Sequence, residues 1–179
     1  YSIGIIFITI IIYLNIPMFY NYDKSKIENV ICGQYNIECS IQGKIKYSFF
    51  PSPRLKFSNI IVKDFNNKKN ILGNIQNVEI KISFYNLHKN KNFEYKKIEI
   101  KKAEINFDYN NLKEYKNIFR KKFYMYPINL KEGDINFFDD KKKIGTIKNA
   151  SLKYKIIRKN YEIILNGNFL GDTINIDLQ

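Results

Sequence analysis

Apolar and polar residues alternate with a period of two through most of the chain after residue 40. The clearest run has apolar side chains at four alternate positions: Val78, Ile80, Ile82 and Phe84. Runs of the same kind cover 41–49, 103–109, 161–165 and 174–178. Because successive side chains of a strand point to opposite faces, this pattern predicts antiparallel strands with one buried face. Stretches rich in Asn, Asp and Lys at 66–70 and 139–143 predict turns between strands.

Two segments show helical spacing instead. Asp23 can cap a short helix that ends before Gly33. A second, amphipathic helix is predicted over about 110–124, because its apolar residues follow a spacing close to 3.6: Leu112, Tyr115, Phe119 and Phe123.

Two pairs of segments resemble each other without gaps. Residues 98–107 align with 128–137, and both switch the parity of their apolar positions at a small residue, Ala103 or Gly133. A small residue at such a switch predicts a bulge or a tight bend. Residues 72–82 align in the same way with 144–154. The repeats therefore predict an elongated sheet built from repeated hairpins.

Such a sheet would have more apolar surface than its helices can cover. Large bare apolar faces are rarely left in water, so the sheet must curl, bind a partner or bind apolar ligands. We predict a curved groove, and the residues that we expect to line it are Val78, Ile80, Ile82, Phe84, Ile105, Phe107, Ile135, Phe137, Ile163 and Leu165.

The charge and the reactive residues argue against two classes of function. The net charge of +13 comes from 27 lysines and only 3 arginines, whereas proteins that read nucleic acids favour arginine, whose planar group pairs with phosphate and guanine. We therefore expect no nucleic-acid partner. The one histidine, His88, lies in a lysine-rich turn, so we expect no catalytic site, no metal site and no cofactor, and the chain is predicted not to be an enzyme.

The N-terminal segment is almost entirely apolar. We interpret 1–22 as an uncleaved transmembrane signal anchor; a cleaved secretory signal and a buried core segment are the alternatives. The chain begins with Tyr1 rather than Met, and we expect residues upstream of it. The residues expected to contact the hydrocarbon are Ile3, Ile5, Ile6, Phe7, Ile8, Ile10, Ile11, Ile12 and Leu14.

The predicted fold is therefore mainly β: an N-terminal transmembrane helix, then an elongated, curved antiparallel β-sheet with one or two short helices. Residues 23–179 form the β-groove domain, which we expect to continue beyond Gln179. Cys32 and Cys39 could form a disulfide in an oxidising compartment. Because they are predicted to lie on different elements, we favour unpaired, packed cysteines.

A motif at 41–62 carries a resemblance to a known family. Its marked positions are Gly43, Ser48, Pro51, Pro53, Leu55 and Asn59. With the apolar segment before it and the strand patterns at 75–87 and 98–107, it resembles the amino-terminal region of the AsmA family of bacterial envelope proteins. This chain departs from the family pattern at Ile61, where a polar residue is usual, and at Ala103, where proline is common.

The resemblance implies a single-pass protein of the bacterial inner membrane with most of its chain in the periplasm. It also implies phospholipid as the ligand, a role in lipid transport or outer-membrane biogenesis, links to protein targeting or assembly in the membrane, and other envelope proteins as partners. The alternative is a membrane-anchored structural or interaction module of the envelope that transports no lipid.

Overall fold

The computed structural model describes residues 2–33, 37–64, 70–87, 95–116, 127–157 and 160–178. Within these ranges, α1 (Ser2–Asn15) and α2 (Lys24–Ile31) are α-helices, and 3-10 helices cover Ile16–Phe19, Phe84–Asn86 and Tyr109–Asn111. The strands within these ranges are β1 (Cys39–Ile41), β2 (Lys46–Ser48), β3 (Arg54–Lys63), β4 (Ile71–Ile82), β5 (Tyr95–Asp108), β6 (Ile128–Asp139), β7 (Lys142–Ile157), β8 (Asn160–Phe169) and β9 (Asp172–Leu178).

All nine strands of the described ranges join one sheet in the order β1-β3-β4-β5-β6-β7-β8-β9, and β2 pairs with the same edge of β3 as β1 does. The prediction of an extended sheet with few short helices is confirmed. Among the residues that the structure describes, no helix has both the length and the apolar content to cross a membrane. Helix α1 has 14 residues, so the predicted transmembrane helix is not found.

The prediction that every neighbouring pair is antiparallel is wrong for β5 and β6. These strands run parallel, and Ile98 pairs with Ile128 while Phe107 pairs with Phe137. The two aligned segments of the sequence thus lie side by side in equivalent register. A parallel pair needs a crossover connection rather than a hairpin, and residues 109–127 form this crossover.

The predicted second helix lies in this crossover and is described only in part. Residues 112–116 are helical, and Tyr115 is buried, as predicted from its spacing. Leu112 is 42% exposed and does not join the core. Phe119 and Phe123 lie outside the described residues.

Helix α2 begins and ends as predicted. The Asp23 carboxylate accepts a hydrogen bond from the backbone N–H of Ser25 at 2.9 Å and caps the first turn. Ile27 is buried on the sheet, and Gly33 follows the helix. The helix thereby covers part of the apolar face formed by β1–β5.

A row of residues in the left-handed conformation crosses the sheet and explains the switch of parity. Its members are Asn59, Lys102, Glu132 and Asn149, with φ between 51° and 56°. The pairings of their neighbours place Asn59 and Lys102 level with each other on either side of β4, and Lys102 level with Glu132. Each of these residues offsets the alternation by one position, so the apolar face continues on the same side of the sheet.

Candidate functional site: the apolar face of the sheet

Apolar side chains form two continuous rows across the sheet from β3 to β9. Register pairs connect the first row in the order Phe57, Val78, Ile100, Leu130, Leu152, Leu165 and Ile176. They connect the second row in the order Leu55, Ile80, Ile98, Ile128, Tyr154, Ile163 and Leu178. We call these the first and the second apolar row. Facing apolar pairs on one face of a sheet stabilise it, and together the pairs make a surface free of charged side chains.

Exposure is lowest on β3 and highest on β9, although Leu130 and Tyr154 in the middle of the rows are also buried. Phe57 and Leu55 are 2% and 0% exposed, whereas Ile176 and Leu178 are 41% and 53% exposed. The β3–β5 part of the face is covered by other segments of the chain, including Ile27 of α2 and the fully buried Leu87. We call the part on β7–β9 the open half. Among the described residues, the chain therefore covers the β3–β5 part of the face and leaves Ile176 and Leu178 on β9 accessible.

The predicted lining residues fall into three places. Val78, Ile80 and Ile82 are buried in the closed part. Phe84 lies beyond the end of β4, in the 3-10 helix Phe84–Asn86, and is 45% exposed. The others lie elsewhere on the sheet: Ile163 and Leu165 in the open half, and Ile105, Phe107, Ile135 and Phe137 on β5 and β6 beyond the row of left-handed residues, where Ile135 is buried.

A second cluster of buried residues lies beyond the row of left-handed residues. Ile135, Ile147 and Ala150 are its buried members. Phe107 and Phe137 stack over it with ring centroids 6.2 Å apart. Tyr115 of the crossover packs edge to face on Phe107 at 5.1 Å and covers this ring.

Sequence reasoning misses Leu152 and Ile176, which occupy the first apolar row in the open half. Both lie in period-two runs, so the pattern predicts that they face the core. The pattern does not tell which strands are neighbours, and therefore it cannot show that these residues continue the same row.

The opposite face of β3–β5 is charged, and its carboxylates are paired. The carboxylate oxygens of Glu79 form ion pairs with a guanidinium nitrogen of Arg54 at 2.7 Å and with Nζ of Lys101 at 3.5 Å. A carboxylate oxygen of Glu99 forms ion pairs with Nζ of Lys97 at 3.0 Å and with Nζ of Lys81 at 3.4 Å.

Burial alone would raise the pKa of both carboxyl groups. For Glu79, the hydrogen bond from Arg54 and the nearby positive charges outweigh burial and hold the pKa below its ordinary value. The pKa of Glu99 is lowered in the same way, because hydrogen bonds and positive charge from Lys97 and Lys81 outweigh its burial. Glu79 and Glu99 are therefore each paired with two cations, which sets this face apart from the apolar face.

A disulfide joins Cys32 to Cys39, with their Cα atoms 6.0 Å apart. The prediction of unpaired cysteines is wrong. The two residues do lie on different elements, at the end of α2 and in β1, but the N–H of Ile37, just before β1, donates to the carbonyl oxygen of Cys32 at 3.2 Å, so the two elements lie close together. The bond fixes the end of α2 to the edge of the sheet.

A polar cleft of about 770 Å³ lies beside this disulfide. Two of its acidic groups already have partners: Glu28 accepts the N–H of Ile41 at 2.6 Å, and Glu38 pairs with Lys63 at 3.0 Å. Across the described residues, no group of three His, Cys, Asp or Glu side chains is arranged to hold a metal ion. Because these acidic groups are already paired, the cleft is a weaker candidate for a ligand site than the apolar face.

Tyrosine hydroxyl groups attach the end of α1 to the sheet domain. Tyr13 donates to the carbonyl oxygen of Phe84 at 2.8 Å, and Tyr47 donates to that of Leu14 at 2.8 Å. Burial raises the pKa of Tyr47 to about 12, with a smaller contribution from Tyr13. The Tyr47 phenol therefore stays protonated and remains a donor at any physiological pH.

These features define a class: a domain with an open, curved β-sheet, one apolar face that is only partly closed, and an apolar helix at its N-terminus. The AsmA family profile matches residues 2–118. The chain belongs to the AsmA family. A comparison with curated proteins gives no significant match.

Proposed function

We propose that this chain is a non-enzymatic, membrane-anchored envelope protein that takes part in phospholipid transport or outer-membrane biogenesis. An influence on the targeting of proteins to the membrane, or on their assembly there, belongs to the same proposal. In it, α1 is the single membrane anchor in the bacterial inner membrane, and the sheet lies in the periplasm. Membership of the AsmA family is consistent with an envelope role.

The exposed apolar side chains at the β9 end of the two rows are the observation that carries the proposal. In the open half, Tyr154 is buried, Leu152, Ile163 and Leu165 are partly buried, and Ile176 and Leu178 are exposed. An acyl chain laid against these side chains is removed from water, which contributes roughly 0.8 kcal/mol for each methylene. No polar group on the rows is needed for this contact, so we expect little selectivity for the head group.

Two further features support a periplasmic location of the sheet and the role of α1 as the membrane anchor. Disulfides persist in oxidising environments such as the bacterial periplasm and are rare in the cytosol, and Cys32 and Cys39 are bridged. Ile3 and Phe7 of α1 are 85% and 65% exposed. Apolar side chains displayed in this way along a helix favour insertion into lipid.

An interaction module without lipid transport is the second candidate, and β9 supports it. This strand pairs with β8 and is an edge of the sheet within the described ranges. An edge strand presents unpaired backbone groups to which another strand can add. A polypeptide strand could then cover Ile176 and Leu178 in place of lipid.

Site-specific photocrosslinking tells the two candidates apart. A photoreactive phenylalanine analogue is placed at Ile176 in the full chain and crosslinked in cells with labelled phospholipid. The matched control carries the analogue at Asn175, which is also exposed but on the opposite face of β9. We expect labelled lipid on the Ile176 variant and at most traces on the Asn175 variant.

Other outcomes have equally definite meanings. A crosslink from Ile176 to a polypeptide, without labelled lipid, would support the interaction module. Equal labelling of both variants would show that the probe reports nearness to the membrane rather than contact with the apolar face, and the proposed lipid contact would then be abandoned.

A further inference from the structure

Three short connections of the chain carry strongly exposed aromatic side chains. Phe19 in the 3-10 helix Ile16–Phe19 is 87% exposed, Phe50 between β2 and β3 is 75% exposed, and Tyr85 in Phe84–Asn86 is 83% exposed. Met18 and Phe84 accompany them at 58% and 45%. We call Met18, Phe19, Phe50, Phe84 and Tyr85 the aromatic rim. Aromatic side chains normally contribute large buried areas to a fold, so such exposure needs a reason outside this domain.

The three connections meet at one end of the sheet. The hairpin after β2 lies beside the end of β4, since the N–H of Ile82 donates to the carbonyl oxygen of Pro53 at 2.9 Å. The segment after β4 lies beside α1, because Tyr13 donates to Phe84. The rim is therefore one region of the surface, although its members are far apart in the sequence.

Helix α1 leaves the domain at this same end. Leu14 and Tyr13 contact the domain, whereas Ile3, Ile5 and Phe7 further along the helix are 85%, 65% and 65% exposed. The turn between β6 and β7 at the other end of the strands is formed by polar Asp140 and Lys141. Exposed side chains occur at that other end too, such as Tyr109 at 63% and Leu170 at 85%, but four exposed aromatic rings are grouped where the apolar helix emerges.

We propose that the aromatic rim rests in the interfacial layer of the phospholipid bilayer into which α1 inserts. This inference depends on the proposed role of α1 as an anchor and extends it to the folded domain. Tyrosine and phenylalanine have the large apolar rings that settle at the boundary between head groups and acyl chains. The rim holds the domain against the membrane at a second place, so the domain has a defined orientation rather than swinging on α1.

The chain has no tryptophan, so single tryptophans can report the depth of chosen positions. Two variants of the full chain probe the rim, Phe50→Trp and Tyr85→Trp. Leu170→Trp is the matched control, because Leu170 is 85% exposed, apolar and located in the β8–β9 turn at the opposite end of the strands. Phe7→Trp reports on α1 itself.

Each variant is reconstituted into vesicles of phosphatidylcholine and phosphatidylglycerol. One lipid carries bromine either near the glycerol end or near the methyl end of its acyl chains, and bromine quenches tryptophan within short range. We expect Phe50→Trp and Tyr85→Trp to show blue-shifted emission and stronger quenching by bromine near the glycerol end. Leu170→Trp should keep the emission of a hydrated indole and should not be quenched.

The Phe7→Trp variant separates failure of this inference from failure of the anchor. Quenching of Phe7→Trp without quenching at positions 50 and 85 would overturn the inference and leave the anchor in place. Lack of quenching in all variants would reject the anchor and the rim together. Equal quenching of the Leu170→Trp variant would indicate nonspecific adsorption and would also overturn the inference. Thermal melts establish that every variant keeps its fold.

Discussion

Removal of the disulfide should lower the stability of the domain by an amount that follows from the size of its loop. Cys32 and Cys39 are separated by 7 positions. Closing so short a loop reduces the entropy of the unfolded chain by an amount worth about 2.4 kcal/mol at 25 °C. We therefore expect the double variant Cys32→Ala, Cys39→Ala to lose about 2.4 kcal/mol of unfolding free energy.

The loss should be specific to the bond. Urea titrations of the oxidised protein and of the double variant, followed by circular dichroism, give the two unfolding free energies. Adding a reductant to the original protein should bring its midpoint down to that of the variant, and the same reductant should leave the variant unchanged. Free thiols are counted in parallel to establish that reduction is complete.

The reasoning would be refuted if the fully reduced protein unfolded at the same urea concentration as the oxidised one. A loss far above the expected value would also contradict it. In that case the bond would be acting in the folded state, by holding Ile27 of α2 over the apolar face, rather than through the unfolded chain.

Three other changes test the closed part of the face, the motif glycine and the charged face. Ile80 is 1% exposed, so Ile80→Ala should lower the unfolding free energy, measured by urea titration, by about 2–5 kcal/mol. Ile176 is 41% exposed, so Ile176→Ala should lower it by less than about 1 kcal/mol. Equal losses would contradict the division of the face into a closed and an open part. Gly43→Ala should lower the unfolding free energy by about 1–3 kcal/mol in the same measurement, since an added Cβ would overlap the hydroxyl and carbonyl groups of Ser58. An unchanged midpoint would show that the connection between β1 and β2 moves away from β3 easily. The folded state lowers the pKa of Glu79, so the ionised carboxylate stabilises the fold above the ordinary glutamate pKa of about 4.3, and this stabilisation is lost as the pH falls through the lowered value. Thermal melts recorded across this range should show a smaller acid-induced loss of stability for Glu79→Gln than for the original protein. An unchanged loss would exclude this carboxylate as a cause.

The strands could be predicted from sequence because alternation is a local property. Each run of apolar residues, such as the one through Val78 and Ile80, records which side of its own strand is buried. The fold as a sheet with one apolar face follows directly from such runs. The groove as a collection of apolar residues could be predicted for the same reason.

The neighbours of each strand could not be predicted in this way. The resemblance of 98–107 to 128–137 indicates equivalent strands, but equivalence does not say that Ile98 and Ile128 are adjacent or that their strands are parallel. That arrangement depends on the path of the crossover. It also decides which apolar residues form one row, and therefore Leu152 and Ile176 were missed.

The residues that switch the parity show a similar limit. The sequence indicates the switch at Ala103 and Gly133, yet the left-handed residues are the preceding Lys102 and Glu132. Asn59 is a common residue type in the left-handed region, whereas Lys and Glu are not. Their conformation is imposed by the neighbouring strands on both sides, and the chemistry of their side chains does not predict it.

The parallel pair also has a consequence for how the domain forms and opens. Neighbouring strands on either side of β5 and β6 are joined mostly by short connections, but the β5–β6 pairing closes the long connection through residues 109–127. Pairing across long connections is slow because chain entropy must be lost first. We therefore expect β3–β5 and β6–β9 to behave as two folding units joined along one seam, with amide hydrogen exchange in β6–β9 able to proceed while β3 and β4 remain protected.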